Sequence, residues 1–133
     1  MKTIYRPAIR AFVAASLLFA TATLMFVAVN TARAAGALAV GSCGAFGEAY
    51  DFSSIDEARR SALSKCQGNS CRVVTTSKRG CAAFAVDFTN PCGAQGWGKG
   101  QRLGRTQNAA LEACYQHGGK ECVIRTFFCD AKG

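Results

Sequence analysis

Cys43-Gly-Ala-Phe-Gly47, followed by Ala62-Leu-Ser-Lys-Cys66 and Cys71, returns as Cys92-Gly-Ala-Gln-Gly96, followed by Ala110-Leu-Glu-Ala-Cys114 and Cys122. The separations are nearly constant: 49 positions from Cys43 to Cys92, 48 from Cys66 to Cys114, 51 from Cys71 to Cys122 and 48 from Cys81 to Cys129. The apolar run Ala37-Leu-Ala-Val40 also returns, as Ala83-Phe-Ala-Val86, so the period belongs to strands as well as to sulfurs. Two copies are too few for a solenoid. The reading is one duplicated domain, with pseudo-repeats at about 36–81 and 82–129 and an approximate twofold relation between them.

Within a copy the element signals run in a fixed order. Gly36–Gly41 is a short apolar strand, and Gly44–Phe52 is a strand rich in glycine and aromatics. Ser54-Ile-Asp-Glu57 is a capping box, in which the serine oxygen accepts from a free helix N–H and the glutamate reaches back. Ile55, Ala58, Ala62, Leu63 and Cys66 then keep to one helical face, Lys65 lies near the negative end of the dipole, and Gly68 stops the helix. Cys71–Thr76 is β-branched and strand-like, and Lys78-Arg-Gly80 turns the chain into a strand over Cys81–Phe88. In the second copy Gly96–Gly100 is the second strand, a helix runs from about Thr106 to His117, and Cys122–Cys129 is the last strand. Each unit is therefore ββαβ, and the fold class is α+β: antiparallel sheets with two packed helices.

The 133-residue chain begins with a basic segment, Met1–Arg10, an apolar run, Ala11–Val29, and Ala32-Arg-Ala34. That order reads as a signal peptide over 1–34, cleaved after Ala34, leaving one mature domain over 35–133. An uncleaved membrane anchor is the competing reading, because the apolar run approaches the ~20 residues that span a bilayer. Either way the remainder is secreted or periplasmic. The formal charge of +8 falls to +4 after position 34, without a basic run of nucleic-acid type.

Export decides what eight cysteines mean. An even number in a short exported chain is a disulfide framework, for which 105 pairings are formally possible. Cys66 and Cys71 bracket Gln-Gly-Asn-Ser, and Cys114 and Cys122 bracket a Gly118-Gly119 turn, so each pair suits a staple from a helix end to the next strand. Symmetry then pairs Cys43 with Cys92 and Cys81 with Cys129, two bridges expected to tie the halves together. No C-x-x-C pair points to redox chemistry, and His117, three residues after Cys114, is too little for zinc. No metal and no cofactor is expected.

Ala62-Leu-x-x-Cys66, Cys71-Arg-Val-Val74, Cys81-Ala-Ala-Phe-Ala85, Trp97-Gly98, Ala110-Leu-x-x-Cys114, Cys122-Val-Ile124 and Cys129, in this order, resemble a bacterial secreted family, domain of unknown function 4189. The resemblance covers about Gly36–Cys129. It implies an exported α+β domain and carries no catalytic residues over. Cys43 and Cys92 look like additions to the family's usual six cysteines, so their pairing rests on symmetry alone.

The same residues limit the chemistry. His117 falls in the last turn of a helix, where an imidazolium caps the dipole. Asp56 and Glu57 belong to a first turn, and Asp87, Glu112, Glu121 and Asp130 form no motif. The Gly96–Gly104 run fits neither a dinucleotide fingerprint nor a phosphate loop. Trp97, Lys99, Arg102 and Arg105 form the candidate binding surface, an aromatic face beside cations suited to an anionic envelope component or an acidic protein. The alternative is that Trp97 fills the core between sheet and helix. The expected function is a small exported, non-catalytic binding module. A secreted hydrolase using His117 with carboxylates, and an inhibitor of a foreign or host enzyme, are the alternatives.

Overall fold

Along Ala35–Val40 the odd positions are alanine and two of the even ones are leucine and valine, so the strand offers a shallow face and a bulky one. The computed structural model, which describes residues 34–130, buries both faces. Apart from Ala34, the signal peptide expected over 1–34 lies outside the described residues. Ala37 and Ala39 meet Ala58 and Ala62 of a helix, whereas Leu38 and Val40 meet Phe84, Val86 and Phe128 of a second sheet.

The elements are β1 (Ala35–Val40), β2 (Phe46–Phe52), α1 (Ile55–Lys65), β3 (Arg72–Lys78), β4 (Cys81–Asp87), β5 (Gln95–Gly100), α2 (Leu103–Gln116) and β6 (Cys122–Cys129), with one 3₁₀ turn at Ser42–Gly44. The sheets are antiparallel, ordered β2-β1-β3 and β5-β4-β6. Each carries its own helix on the outside and packs its inner face on the other sheet. The result is four layers, α1, sheet, sheet, α2, with the bulky core between the sheets. This is the duplicated ββαβ, α+β arrangement expected from the repeat.

Glycine lets the helices come so close. A Cβ at Gly47 would stand 2.0 Å from the Ala62 carbonyl oxygen, and one at Gly96 would stand 2.2 Å from the Cys114 nitrogen. The Gly-rich second strand of each unit is therefore a bed for helix backbone. Because Gly96 and Gly98 lie under α2, Trp97 between them points to the opposite side. It packs half-buried against the core between the two sheets, and not between sheet and helix.

The duplication extends to irregularities. Against β3 the register slips between Leu38 and Ala39, leaving Val74 unmatched, and against β6 it slips between Phe84 and Ala85, leaving Arg125 unmatched. These are equivalent β-bulges.

Register also corrects the repeat boundary. Cys81 pairs with Cys129 across sheet two in the way that Ala35 pairs with Lys78 across sheet one. Cys81 is thus the counterpart of Ala35, and Cys129 of Lys78. Their 48-residue separation reflects the start of one strand meeting the end of its neighbour, not the repeat period. The first unit ends at the Arg79-Gly80 turn, and the Cys81–Cys129 bridge lies inside the second sheet and does not link the halves. Cys66–Cys71 and Cys114–Cys122 each staple a helix end to the following strand, and Cys43–Cys92 alone joins the units. Cys43 lies in the β1–β2 connection and Cys92 in the β4–β5 connection, which are equivalent segments. A bond between them puts the pseudo-twofold axis at that bridge.

Ser54 caps α1 by accepting from the Glu57 N–H at 3.2 Å, and the Glu57 carboxylate reaches back to the Ser54 backbone while also accepting from the Ser53 hydroxyl. Two local expectations shift. Leu63 is 41% exposed and so lies off the buried face. Helix α2 begins three residues before Thr106, because its N-cap, Arg102, makes no side-chain cap bond and so leaves no signature. The Thr106 hydroxyl donates to the Arg102 carbonyl at 2.9 Å one turn inside.

Candidate functional site

Most groups able to do acid–base chemistry are engaged in holding the fold. His117 is the C-cap of α2, and its Nδ1 lies 2.6 Å from the Gln95 carbonyl oxygen, which makes that nitrogen the donor. Among the described residues no three His, Cys, Asp or Glu side chains gather as a metal site would require. The Asp87 carboxylate accepts from the Lys120 N–H at 2.9 Å, the Thr89 N–H at 2.9 Å and the Thr89 hydroxyl at 2.7 Å. Those donors, the Lys120 amide first, hold its pKa down at about 2.

A depressed folded pKa gives a definite sign. The contribution of Asp87 is fully present above its ordinary value of 3.8 and is lost as pH falls through about 2. Asp87→Asn is therefore expected to flatten the acid limb of the stability curve between these values, as read by urea midpoints against pH.

Asp130 has the opposite bias. Its side chain is fully buried under Gly36, accepting from the Ser77 hydroxyl and from the Asp51 N–H at 3.3 Å. Burial raises its pKa, the two hydrogen bonds oppose the rise, and the Asp51 carboxylate adds to it. Both oxygens are used to close the end of the layer between the sheets.

The predicted surface is brought together only in part. Lys99, Arg102 and Arg105 are exposed at the β5–α2 junction. The turn between β3 and β4 lies against this junction, since a Cβ on Gly80 would come within 3.0 Å of the Gly100 carbonyl oxygen. That places exposed Lys78 and Arg79 at the same end of the molecule. Trp97 is separated from α2 by its own strand. The cation over its ring is Arg72 of the first unit, 5.4 Å from the ring centroid, which spacing along the sequence did not reveal. The two helix starts carry opposite charge. Ser54-Ile-Asp-Glu57 opens α1, and Arg102-Leu-Gly-Arg105 opens α2 without an acid in its first turn.

The other end of the strands holds an open hollow of about 360 Å³, lined by Cys43, Phe88, Pro91, Val123 and Arg125 among others. Phe88 is 70% exposed and Val123 41%. The Arg125 guanidinium lies over the Phe46 ring, 5.8 Å from its centroid. None of Trp97, Lys99, Arg102 and Arg105 lines the hollow. Two signals could have drawn attention to it: an arginine interrupting the apolar β6, and a phenylalanine at the edge of a turn.

Four disulfides suit an oxidising, extracellular or periplasmic setting. Among the described residues no helix is long and apolar enough to cross a membrane. No curated protein sequence and no solved structure matches the chain. A family model does, over residues 35–129, a span that runs from the first strand to the last cysteine and takes in both units. The chain accordingly belongs to the family described as domain of unknown function (DUF4189).

Proposed function

We propose that this is an exported, disulfide-stapled, non-catalytic module that binds an anionic partner in the cell envelope or outside the cell. The observation that supports this reading is the basic end, where Lys99, Arg102 and Arg105 meet Lys78 and Arg79 from the neighbouring turn, all exposed. Cations clustered on a rigid end attract acidic surfaces and steer their approach, and such attraction weakens with salt. The engagement of His117 by the Gln95 carbonyl disfavours the hydrolase reading.

Elution from an immobilised polyanion along a salt gradient tests it. The full chain is expected to be retained at low salt, and Lys99→Glu/Arg102→Glu/Arg105→Glu to elute earlier. Equal elution of the two proteins, with circular dichroism unchanged, would remove the basic end from the binding function. An acidic protein and an anionic polysaccharide used as competitors then separate the two partner classes.

A further inference from the structure

We infer that the hollow beside the Cys43–Cys92 bridge is a second site, taking a small amphiphile with one carboxylate on an apolar body. Its volume, about 360 Å³, lies in the range of small-molecule sites. Its walls are pre-formed. The Phe88 N–H donates to the Glu121 carbonyl at 2.9 Å, the Gly93 N–H donates to the Asn90 carbonyl at 2.8 Å, and Asp87 clamps Thr89 and Lys120 from either side. Cys43, fixed by its bridge to Cys92, is part of the wall. A site that needs no ordering on binding loses less of its contact energy.

The duplication supplies an internal comparison. At the equivalent bulge of the first unit stands Val74, packed on the core between the sheets. In the second unit the bulge carries Arg125, exposed, lining the hollow and paired with the face of Phe46 and not with a carboxylate among the described residues. A bulge re-aims the side chain it carries. One unit uses that freedom to fill the core and the other to present a cation beside Phe88, Pro91 and Val123. A guanidinium next to an exposed apolar wall is complementary to an anionic head joined to an apolar body, and its fork matches a carboxylate in particular.

Site-resolved NMR titration of the full chain with decanoate below its micelle concentration tests the assignment. Saturable shifts are expected at Phe88, Val123 and Arg125. Arg125→Gln and Phe88→Ser are each expected to weaken binding by about tenfold or more, with Arg125→Lys retaining part of the affinity. Decanol is expected to bind correspondingly more weakly, and acetate to shift nothing. Decanol binding as tightly as decanoate, an unchanged Arg125→Gln, or shifts confined to other residues would each overturn the assignment. Because Phe88 and Arg125 are exposed, near-UV dichroism of the variants is expected to match that of the parent.

Discussion

Gly96→Val is expected to cost about 3 kcal/mol or more, a large fraction of the roughly 5–15 kcal/mol that keeps a domain of this size folded. The new Cβ would fall 2.2 Å from the Cys114 nitrogen and 2.4 Å from the Ala110 carbonyl oxygen, both helix backbone that no rotamer change can move. Helix α2 must then lift off the sheet. The layer it leaves is built from Ala83, Ala85 and Ala110, short side chains that cannot follow, so a gap opens along its length. Gly47→Val is expected to do the same to α1, where the nearest atoms are the Ala62 carbonyl oxygen at 2.0 Å and the Cys66 nitrogen at 2.6 Å. Gly104→Ala is the control. Nothing lies within 4 Å of its Cβ position, and alanine in a helix is favoured over glycine by up to about 1 kcal/mol, so this variant is expected to be slightly more stable. Urea midpoints of the three variants check the ranking. A Gly96→Val protein as stable as the parent would show that α2 does not rest on β5 in this way.

The bridges separate by loop length and burial. Cys43–Cys92 and Cys81–Cys129 close loops of 49 and 48 residues, for which the loss of unfolded-state entropy alone predicts about 4 kcal/mol each. Cys66–Cys71, with a separation of 5, is worth only about 2 kcal/mol by the same argument. Cys43 and Cys92 are exposed, so Cys43→Ser/Cys92→Ser is expected to lose the connectivity contribution and little else. Cys81 is buried, and Cys81→Ser/Cys129→Ser must in addition bury a hydroxyl, so it is expected to be the more damaging pair. Although Cys43–Cys92 is the only disulfide between units, its loss is expected to leave one cooperative transition. The Leu38, Val40, Phe84, Val86 and Phe128 core couples the sheets without it. Two resolved transitions in the Cys43→Ser/Cys92→Ser protein would mean that the bridge, and not this core, makes the halves a single folding unit.

The candidate sites were legible to different degrees. Lys99, Arg102 and Arg105 were visible as cations close together in sequence, and the structure adds Lys78 and Arg79 from a turn that is distant along the chain. Arg72 over Trp97 was invisible, because no local pattern records which strand of one sheet faces which strand of the other. The hollow was invisible for the same reason: Cys43, Phe88 and Arg125 come from three segments that meet only at the pseudo-twofold axis.

Read alone, the sequence determined the duplication, the strand and helix order and the α+β class, because periodicity, capping residues and turn residues act within a few positions of one another. It also showed that Cys43 and Cys92 occupy equivalent places. Tertiary structure decided what depends on packing across the chain. That includes the assignment of Cys81 to the second sheet, the turning of Trp97 toward the opposite sheet and away from its helix, and the different use of one bulge by Val74 and Arg125. The reason is that a strand's two faces are equivalent until something covers one of them. Here the helices lying on Gly47 and Gly96 make that choice, and everything on the other face follows from it.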